Sequence, residues 1–330
     1  MPGASLTLLD VNLPRGRAKV MKVKIAYLVF AYRNPQLLKR AIGALSGEDC
    51  KFFIHIDQKS NMKDFSRIEG ENVFFSEKRI PVYWGEFSGV QAILLLLQQA
   101  LERSQAYDYF VLLSGSEYPL RSGKYIHTFL EENRGVEFMS MVKMPNEAAG
   151  KPISRINTLR IQSDKPVRRF AVRALAKLGL AQRDYRRYLG SLEPYSGSTW
   201  WAVTRDACQY LLEFVERNRY VEEYFQTVFA PEEMLFHTIL GNSAFRSRTR
   251  RNLVYEDWSA RGSSPAMIDD HHIALFESQP KVLLNDVYGS GEALFARKFS
   301  DDSLALAQRV DDMILRKETG GRPVGHDHAA

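Results

Sequence analysis

The sequence predicts an α/β protein built on a Rossmann-like, mostly parallel sheet flanked by helices, and three observations carry that prediction. Lys24–Phe30 (KIAYLVF), Lys51–Ile56 (KFFIHI) and Tyr109–Leu113 (YFVLL) are short β-rich apolar runs without polar alternation, the pattern of strands covered on both faces. Segments with helical spacing separate them. Ser114-Gly115 follows the third run directly, where a doubly wound sheet opens its crevice at the carboxyl ends of its strands.

Taken in order, the first run is the opening strand. Asn34-Pro35 then supplies an N-cap and a proline at the first helical position, with a helix to about Leu45. Lys51–Ile56 is the second strand, ending in Asp57, and Asn72–Ser76 the third. Ser88 caps the helix GVQAILLLLQQALERS, whose apolar residues recur at helical spacing. A short helix follows Ser122, and Val136–Val142 reads as one more strand. Gly197–Thr204 (GSTWWAVT) reads as a strand and Arg205–Arg217 as a helix. Pro231–Leu240 (PEEMLFHTIL) is a short helix with proline at N1, two acids in its first turn and Gly241 past its end. Leu253–Trp258 is a short strand, a loop-rich stretch runs to Leu294, and Ser300 with Asp301 and Asp302 opens a last amphipathic helix. The expected organisation is an N-terminal extension (1–22), one domain (23–318) and a disordered tail (319–330). Within the domain, a nucleotide-binding half covers about 23–145 and an acceptor or catalytic half about 146–318.

A chain of 330 residues, 45% of them hydrophobic, can bury a core without disulfide staples, and Cys50 and Cys208 read as reduced, buried thiols. The run Ile93–Leu97 is far short of a bilayer span, and the first twenty residues lack the charged-then-apolar order of a signal peptide. A cytoplasmic location is therefore expected. A net charge of +6 and an isoelectric point of about 9.1 suit anionic partners. Much of that charge lies in Lys165–Arg187, where Val167, Phe170, Ala171, Ala174, Leu175 and Leu178 share one helical face and Arg169, Arg173 and Lys177 another. An ordinary surface helix and a helix resting on the anionic inner face of the membrane both fit. No nucleic-acid motif accompanies the charge, so no nucleic-acid partner is expected. The seven histidines suggest no metal site, since His271 and His272 are adjacent and His326 and His328 lie in the tail; His237 reads as a packed or surface residue.

Four stretches carry possible chemistry. His55-x-Asp57-x-Lys59-Ser60 ends a strand, where a carboxylate can accept hydrogen bonds from a ribose or a base edge; a plain polar exit from the strand fits as well. In LLSGSEYPL (Leu112–Leu120), Gly115 lets backbone approach a ligand closely, or simply makes a tight turn. Glu232 and Glu233 stand in a helix's first turn, as partners of its dipole or with one of them as a general base. In LFARKF (Leu294–Phe299), Arg297 and Lys298 can clamp a diphosphate, the arginine as a fork and the lysine as a point charge.

The segments KIAYLVFAY, HIDQKS, VYWGEFSGVQA, LLSGSEYPL, GSTWWAVT, PEEMLFHTIL and LFARKF together resemble the Branch family of glycosyltransferases. That family holds the core-2/I-branching β-1,6-N-acetylglucosaminyltransferases and the peptide O-xylosyltransferases. The segments fall in order from Lys24 to Phe299. The resemblance implies a GT-A-type fold, a UDP-sugar donor, inversion at the anomeric carbon, and neither a cofactor nor a divalent metal. It matches Glu233 to the catalytic base, Asp57, with His55 beside it, to the uridine site, and Arg297 with Lys298 to the diphosphate site. Trp84, Gly115, Glu117, Trp200 and Glu232 fall in segments that line or support the cleft. N-acetylglucosamine or xylose would pass to a glycan or protein hydroxyl. The sequence itself contains no Asp-x-Asp, the pattern that many sugar-nucleotide enzymes use to hold a divalent ion, which points to fixed cations as its substitute. Several features depart from the family pattern: Glu232 and Glu117 where Asp is frequent, VYEDW in place of an arginine-containing segment, and Gln279–Glu292, which reads as an insertion. LFARKF is closer to the xylosyltransferase branch, and the cysteines of secreted relatives are missing, as in a bacterial cytoplasmic member. A non-catalytic nucleotide- or glycan-binding protein on the same scaffold is the alternative, against which an intact Glu233, Arg297 and Lys298 speak.

Overall fold

The structure, a computed structural model, describes residues 22–104, 106–160, 174, 181–260 and 262–319. The expectations for the N-terminal extension, for most of the basic stretch Lys165–Arg187 and for the tail lie outside those residues.

The chain opens with β1 (Ile25–Ala31), α1 (Pro35–Leu45), β2 (Cys50–Ile56), β3 (Val73–Phe75), α2 (Phe87–Arg103) and β4 (Tyr109–Ser114). β5 (Tyr118–Pro119), α3 (Gly123–Glu132), β6 (Glu137–Phe138), β7 (Met141–Lys143) and α4 (Ser154–Asn157) follow. Next come β8 (Tyr195–Gly197), β9 (Ala202–Thr204), α5 (Arg205–Arg217), α6 (Leu235–Gly241), β10 (Thr249–Arg250) and β11 (Val254–Glu256). The last elements are α7 (Asp270–Ser278), β12 (Leu283–Asp286), β13 (Gly289–Glu292), β14 (Phe295–Arg297) and α8 (Leu304–Glu318).

A seven-stranded sheet in the order β10-β6-β9-β4-β1-β2-β3 forms the centre. β4, β1, β2 and β3 are parallel to one another, and β9 alone runs against its neighbours β4 and β6. This is the α/β architecture expected. Ile25 to Leu28, Phe53 to Ile54 and Phe110 to Leu112 are buried because helices cover both faces, which is why these strands carry no polar alternation. A three-stranded sheet, β11-β14-β5, continues from the carboxyl end of β4. It has its own apolar cluster of Leu37, Tyr118, Phe276, Ala296, Phe299 and Val310, shared with α1, α7 and α8. Cys50 and Cys208 are free and buried, as expected.

Several local expectations are corrected. Asn34 adopts a left-handed conformation and caps nothing with its side chain. The first turn of α1 is capped from far along the chain, by Asp301, whose Oδ1 accepts the Leu37 N–H at 2.8 Å. Ser88 lies inside α2, where its hydroxyl accepts the Tyr83 N–H at 2.9 Å, and Glu86 occupies the N-cap position. Val136–Val142 and Gly197–Thr204 each divide into two strands belonging to different sheets. The Pro231 helix breaks at Met234 into a 3-10 turn, Pro231–Glu233, and α6, which includes Gly241. The stretch before Leu294 holds α7 and the β12–β13 hairpin.

Candidate active site

Two clusters make the site, one where β5, β11 and β14 pair and one around the Pro231–Glu233 turn. Glu233 ends that turn. Its Oε2 accepts from Lys151 Nζ at 2.6 Å and from Arg155 Nη2 at 2.7 Å. Both cations hold the same oxygen, and Oε1 has no hydrogen-bond partner among the described residues. The Glu233 side chain is 27% exposed to solvent although protein surrounds it densely, so it lines a recess. Burial alone would raise its pKa, but Lys151 and Arg155 outweigh burial and hold the carboxyl below the usual range.

Lys151 sits at the end of a tight turn, where its N–H donates to the Asn146 carbonyl at 2.8 Å. Its ammonium also donates to the Gly197 carbonyl at 3.0 Å. A side chain at Gly197 would fall 1.6 Å from the Ser140 carbonyl oxygen, so only glycine lets β8 lie this close. Arg155 comes from α4 and lies 5.6 Å from the centre of the Phe229 ring. Neither Lys151 nor Arg155 belongs to a motif legible in the sequence.

Glu232 has no hydrogen-bond partner for its buried Oε2 among the described residues. Burial first, then the adjacent Glu233, pushes its pKa up to about 8, so it is neutral at pH 7. His237 is buried and neutral, its pKa lowered to about 3 by burial, with Nε2 donating to the Ser198 carbonyl at 2.9 Å. It is a packed residue.

Arg297 ends β14 and rests on the face of Trp200, its guanidinium carbon 4.3 Å from the ring centre. Glu117 lies 3.2 Å from its Nε, in ion-pair contact without hydrogen-bond alignment. Glu256 of β11 lies 3.8 Å from its Nη1, and Ser198 donates to Glu256 Oε2 at 3.2 Å. Burial raises the Glu256 pKa, Arg297 opposes that, and Glu117 and Glu233 add to it. Glu256 thus feels both Arg297 and Glu233, and one electrostatic network joins the two ends of the expected site. Lys298 is half-buried; burial first, then Arg297 and Arg33, lowers its pKa. Arg33, an exposed residue after β1, adds a third cation that the motifs did not mark.

Asp57 lies at the end of β2 with Oδ1 accepting the Lys59 N–H and Oδ2 the Lys59 ammonium, both at 2.9 Å. His55 is turned into the core: Nε2 accepts the Ile80 N–H at 2.8 Å, and burial lowers its pKa to about 4. Gly115 is needed for chain packing, because a Cβ there would meet Ala31 Cβ and the Arg33 carbonyl at 3.0 Å. Trp84 is 72% exposed and meets Phe229 edge-on at 5.4 Å. Trp200 is buried and stacks on Phe30 at 5.4 Å. Arg79, unmarked by any motif, binds the Ile56 carbonyl at 3.0 Å and that of Asp57 at 2.6 Å, and so fixes the turn after β2.

Fold and site together define an α/β protein with a cation-flanked carboxylate, Glu233, linked electrostatically through Glu256 to a second cationic cluster around Arg297. The chain belongs to the Branch family, described as Core-2/I-Branching enzyme, which matches residues 25–279. Xylosyltransferase 2 of Canis lupus familiaris is 26% identical over 318 residues, covering 92% of this chain and 34% of that protein. Xylosyltransferase sqv-6 of Caenorhabditis elegans is 22% identical over 314 residues, covering 87% of this chain and 36% of that protein. The chain therefore spans about a third of the length of these curated relatives. A crystal structure of 4-diphosphocytidyl-2C-methyl-D-erythritol synthase aligns over 62% of this chain and 87% of that one, at 10% identity and a TM-score of 0.32, too distant to inform the site. No helix among the described residues is long and apolar enough to cross a membrane.

Proposed function

We propose that this chain is an inverting, metal-independent glycosyltransferase of GT-A type that moves xylose or N-acetylglucosamine from a UDP-sugar to a glycan or protein hydroxyl. The observation that carries the reading is Glu233, ionised by Lys151 and Arg155 through one oxygen, in a recess whose network reaches Arg297. Family membership supports glycosyl transfer, and the xylosyltransferase relatives support xylose. Glu233 takes the proton of the acceptor hydroxyl as that oxygen bonds to the anomeric carbon. The bond from that carbon to the diphosphate breaks in the same step, and its electron pair leaves on UDP, so the configuration inverts. Arg297 and Lys298, with Arg33 beside them, supply the positive charge that the departing diphosphate needs. Glu117 and Glu256 hold the Arg297 guanidinium over Trp200 and so orient the cluster.

The test is UDP release and sugar transfer from a panel of UDP-sugars, with EDTA or manganese present. Glu233→Gln is expected to lower turnover at least about 10²-fold while UDP binding stays near wild type. Lys298→Ala should weaken both UDP binding and turnover. Full activity of Glu233→Gln refutes the base, strict dependence on manganese refutes the metal-free mechanism, and UDP binding without turnover of any donor favours a binding protein.

A further inference from the structure

The β12–β13 hairpin lies beyond the matched family region, which ends at residue 279, and within the segment that the sequence marks as an insertion. Its strands pair from Leu283 with Glu292 to Asp286 with Gly289, leaving Val287 and Tyr288 as the connection. Gly289, at φ +97°, takes up the reversal with a backbone conformation that side chains disfavour. The hairpin is tied at both ends. At its base Glu292 binds Arg121 Nη2 at 2.7 Å and the Tyr125 hydroxyl at 2.9 Å. Near its tip Asp286 pairs with Arg251 Nη2 at 2.8 Å, and a side chain added at Gly291 would meet Arg251 Cβ at 3.6 Å. Asp286 also accepts the Tyr288 N–H at 2.9 Å, which fixes the backbone of the connection. Val287 and Gly289 are exposed, whereas Tyr288 between them is half-buried. Arg251 carries the hairpin toward the recess: its Nη1 donates to the Ser140 hydroxyl at 3.3 Å, next to the β7–β8 pairing whose Gly197 carbonyl holds Lys151. The Tyr288 phenol is within electrostatic reach of Glu233, Asp286, Glu256 and Arg155. The hydroxyl makes no hydrogen bond with any described residue.

We propose that Tyr288 is an acceptor-side positioning residue, whose phenol hydroxyl donates a hydrogen bond that holds the incoming nucleophilic oxygen against Glu233. The inference rests on the transferase reading above. Burial first, then Glu233 and Asp286, keeps the phenol protonated far above neutral pH, so it is a standing donor. The donor site is built from different residues, Arg297 and Lys298 on β14 and its exit, so loss of the Tyr288 hydroxyl separates acceptor effects from donor effects.

The experiment follows UDP release from UDP-xylose and from UDP-N-acetylglucosamine, with water alone and with a serine-containing peptide or methyl β-galactoside as acceptor. Tyr288→Phe keeps the ring and the hairpin. It is expected to lower kcat/KM for the added acceptor about 10-fold, the scale of one well-placed hydrogen bond. Where water is the sole acceptor, kcat should fall while the donor KM and the Kd for UDP stay within about 2-fold, since neither involves this contact. Asp286→Asn, which loosens the tie to Arg251, should produce a smaller loss of the same kind. Unchanged acceptor kinetics in Tyr288→Phe, or a donor KM rising in step with the loss, overturns the inference while leaving the transferase reading intact. A wild-type protein that neither binds UDP nor releases it from either donor overturns both.

Discussion

Glu233 is pulled in two directions, toward the neutral form by burial and, more strongly, toward the ionised form by Lys151 and Arg155. A base must be ionised to accept a proton, so activity is lost as pH falls through its folded pKa, and the two cations keep that loss at low pH. Lys151→Met removes one of them and leaves burial opposed by Arg155 alone. The pKa then rises, and the acidic limb of the pH profile of kcat/KM is expected to move to higher pH; a limb that stays in place would show that Lys151 does not tune the base. Lys298→Ala should not move that limb, because the cations bonded to Glu233 are Lys151 and Arg155. Glu233 itself was legible in the sequence through its motif, but its partners were not. Lys151 stands 82 residues before it and Arg155 78, in a stretch with no spacing signature, and folding alone brings them together. The reverse holds for His55 and Gly115, which sit in conspicuous motifs yet serve the Ile80 amide and the approach of the chain after β1 to the turn after β4.

The elements of the first half were legible because β1, β2 and β4 are covered on both faces, and continuous apolar runs then identify strands without ambiguity. In the second half the same rule misleads. The apolar run in Gly197–Thr204 joins the end of β8 to β9, because Trp200 and Trp201 are buried outside any strand and so imitate one. The split matters for the site: it frees the Gly197 carbonyl to hold Lys151, and the Ser198 hydroxyl to bind Glu256. It also requires β8 to lie against the Ser140 carbonyl, a rigid backbone neighbour. Gly197→Ala, with its Cβ 1.6 Å from that oxygen, must force the two segments apart. A loss of about 3 kcal/mol is expected in urea denaturation, at the upper end of overpacking costs. A loss below about 1 kcal/mol would mean that β7 and β8 separate easily, and that Lys151 owes little to this close approach.

At the scale of the whole molecule, the final helix returns to the first one, and that closure brings Arg297 and Lys298 of the carboxyl-terminal half to the amino-terminal half. Asp311 of α8 accepts from Arg40 Nε of α1 at 2.9 Å and from the Tyr118 hydroxyl of β5 at 2.8 Å. The Phe299 N–H donates to the Ser116 carbonyl at 2.9 Å, and Asp301 caps α1. Lys298 is therefore held between a strand on one side and a cap supplied to a distant helix on the other. A sequence reader sees Asp301 only as the start of its own helix, because a cap donated across 264 residues leaves no local trace. Asp301→Ala removes the acceptor for the Leu37 N–H, and the protein is expected to lose about 1 kcal/mol in chemical denaturation, as for other N-cap deletions. Because the change sits three residues after Lys298 and far from Lys151, the donor KM should rise more than the acceptor KM. Equal changes in the two constants would mean that the closure supports the fold as a whole without positioning Arg297 and Lys298, whereas unaltered stability would mean that the amino end of α1 satisfies its amides from solvent.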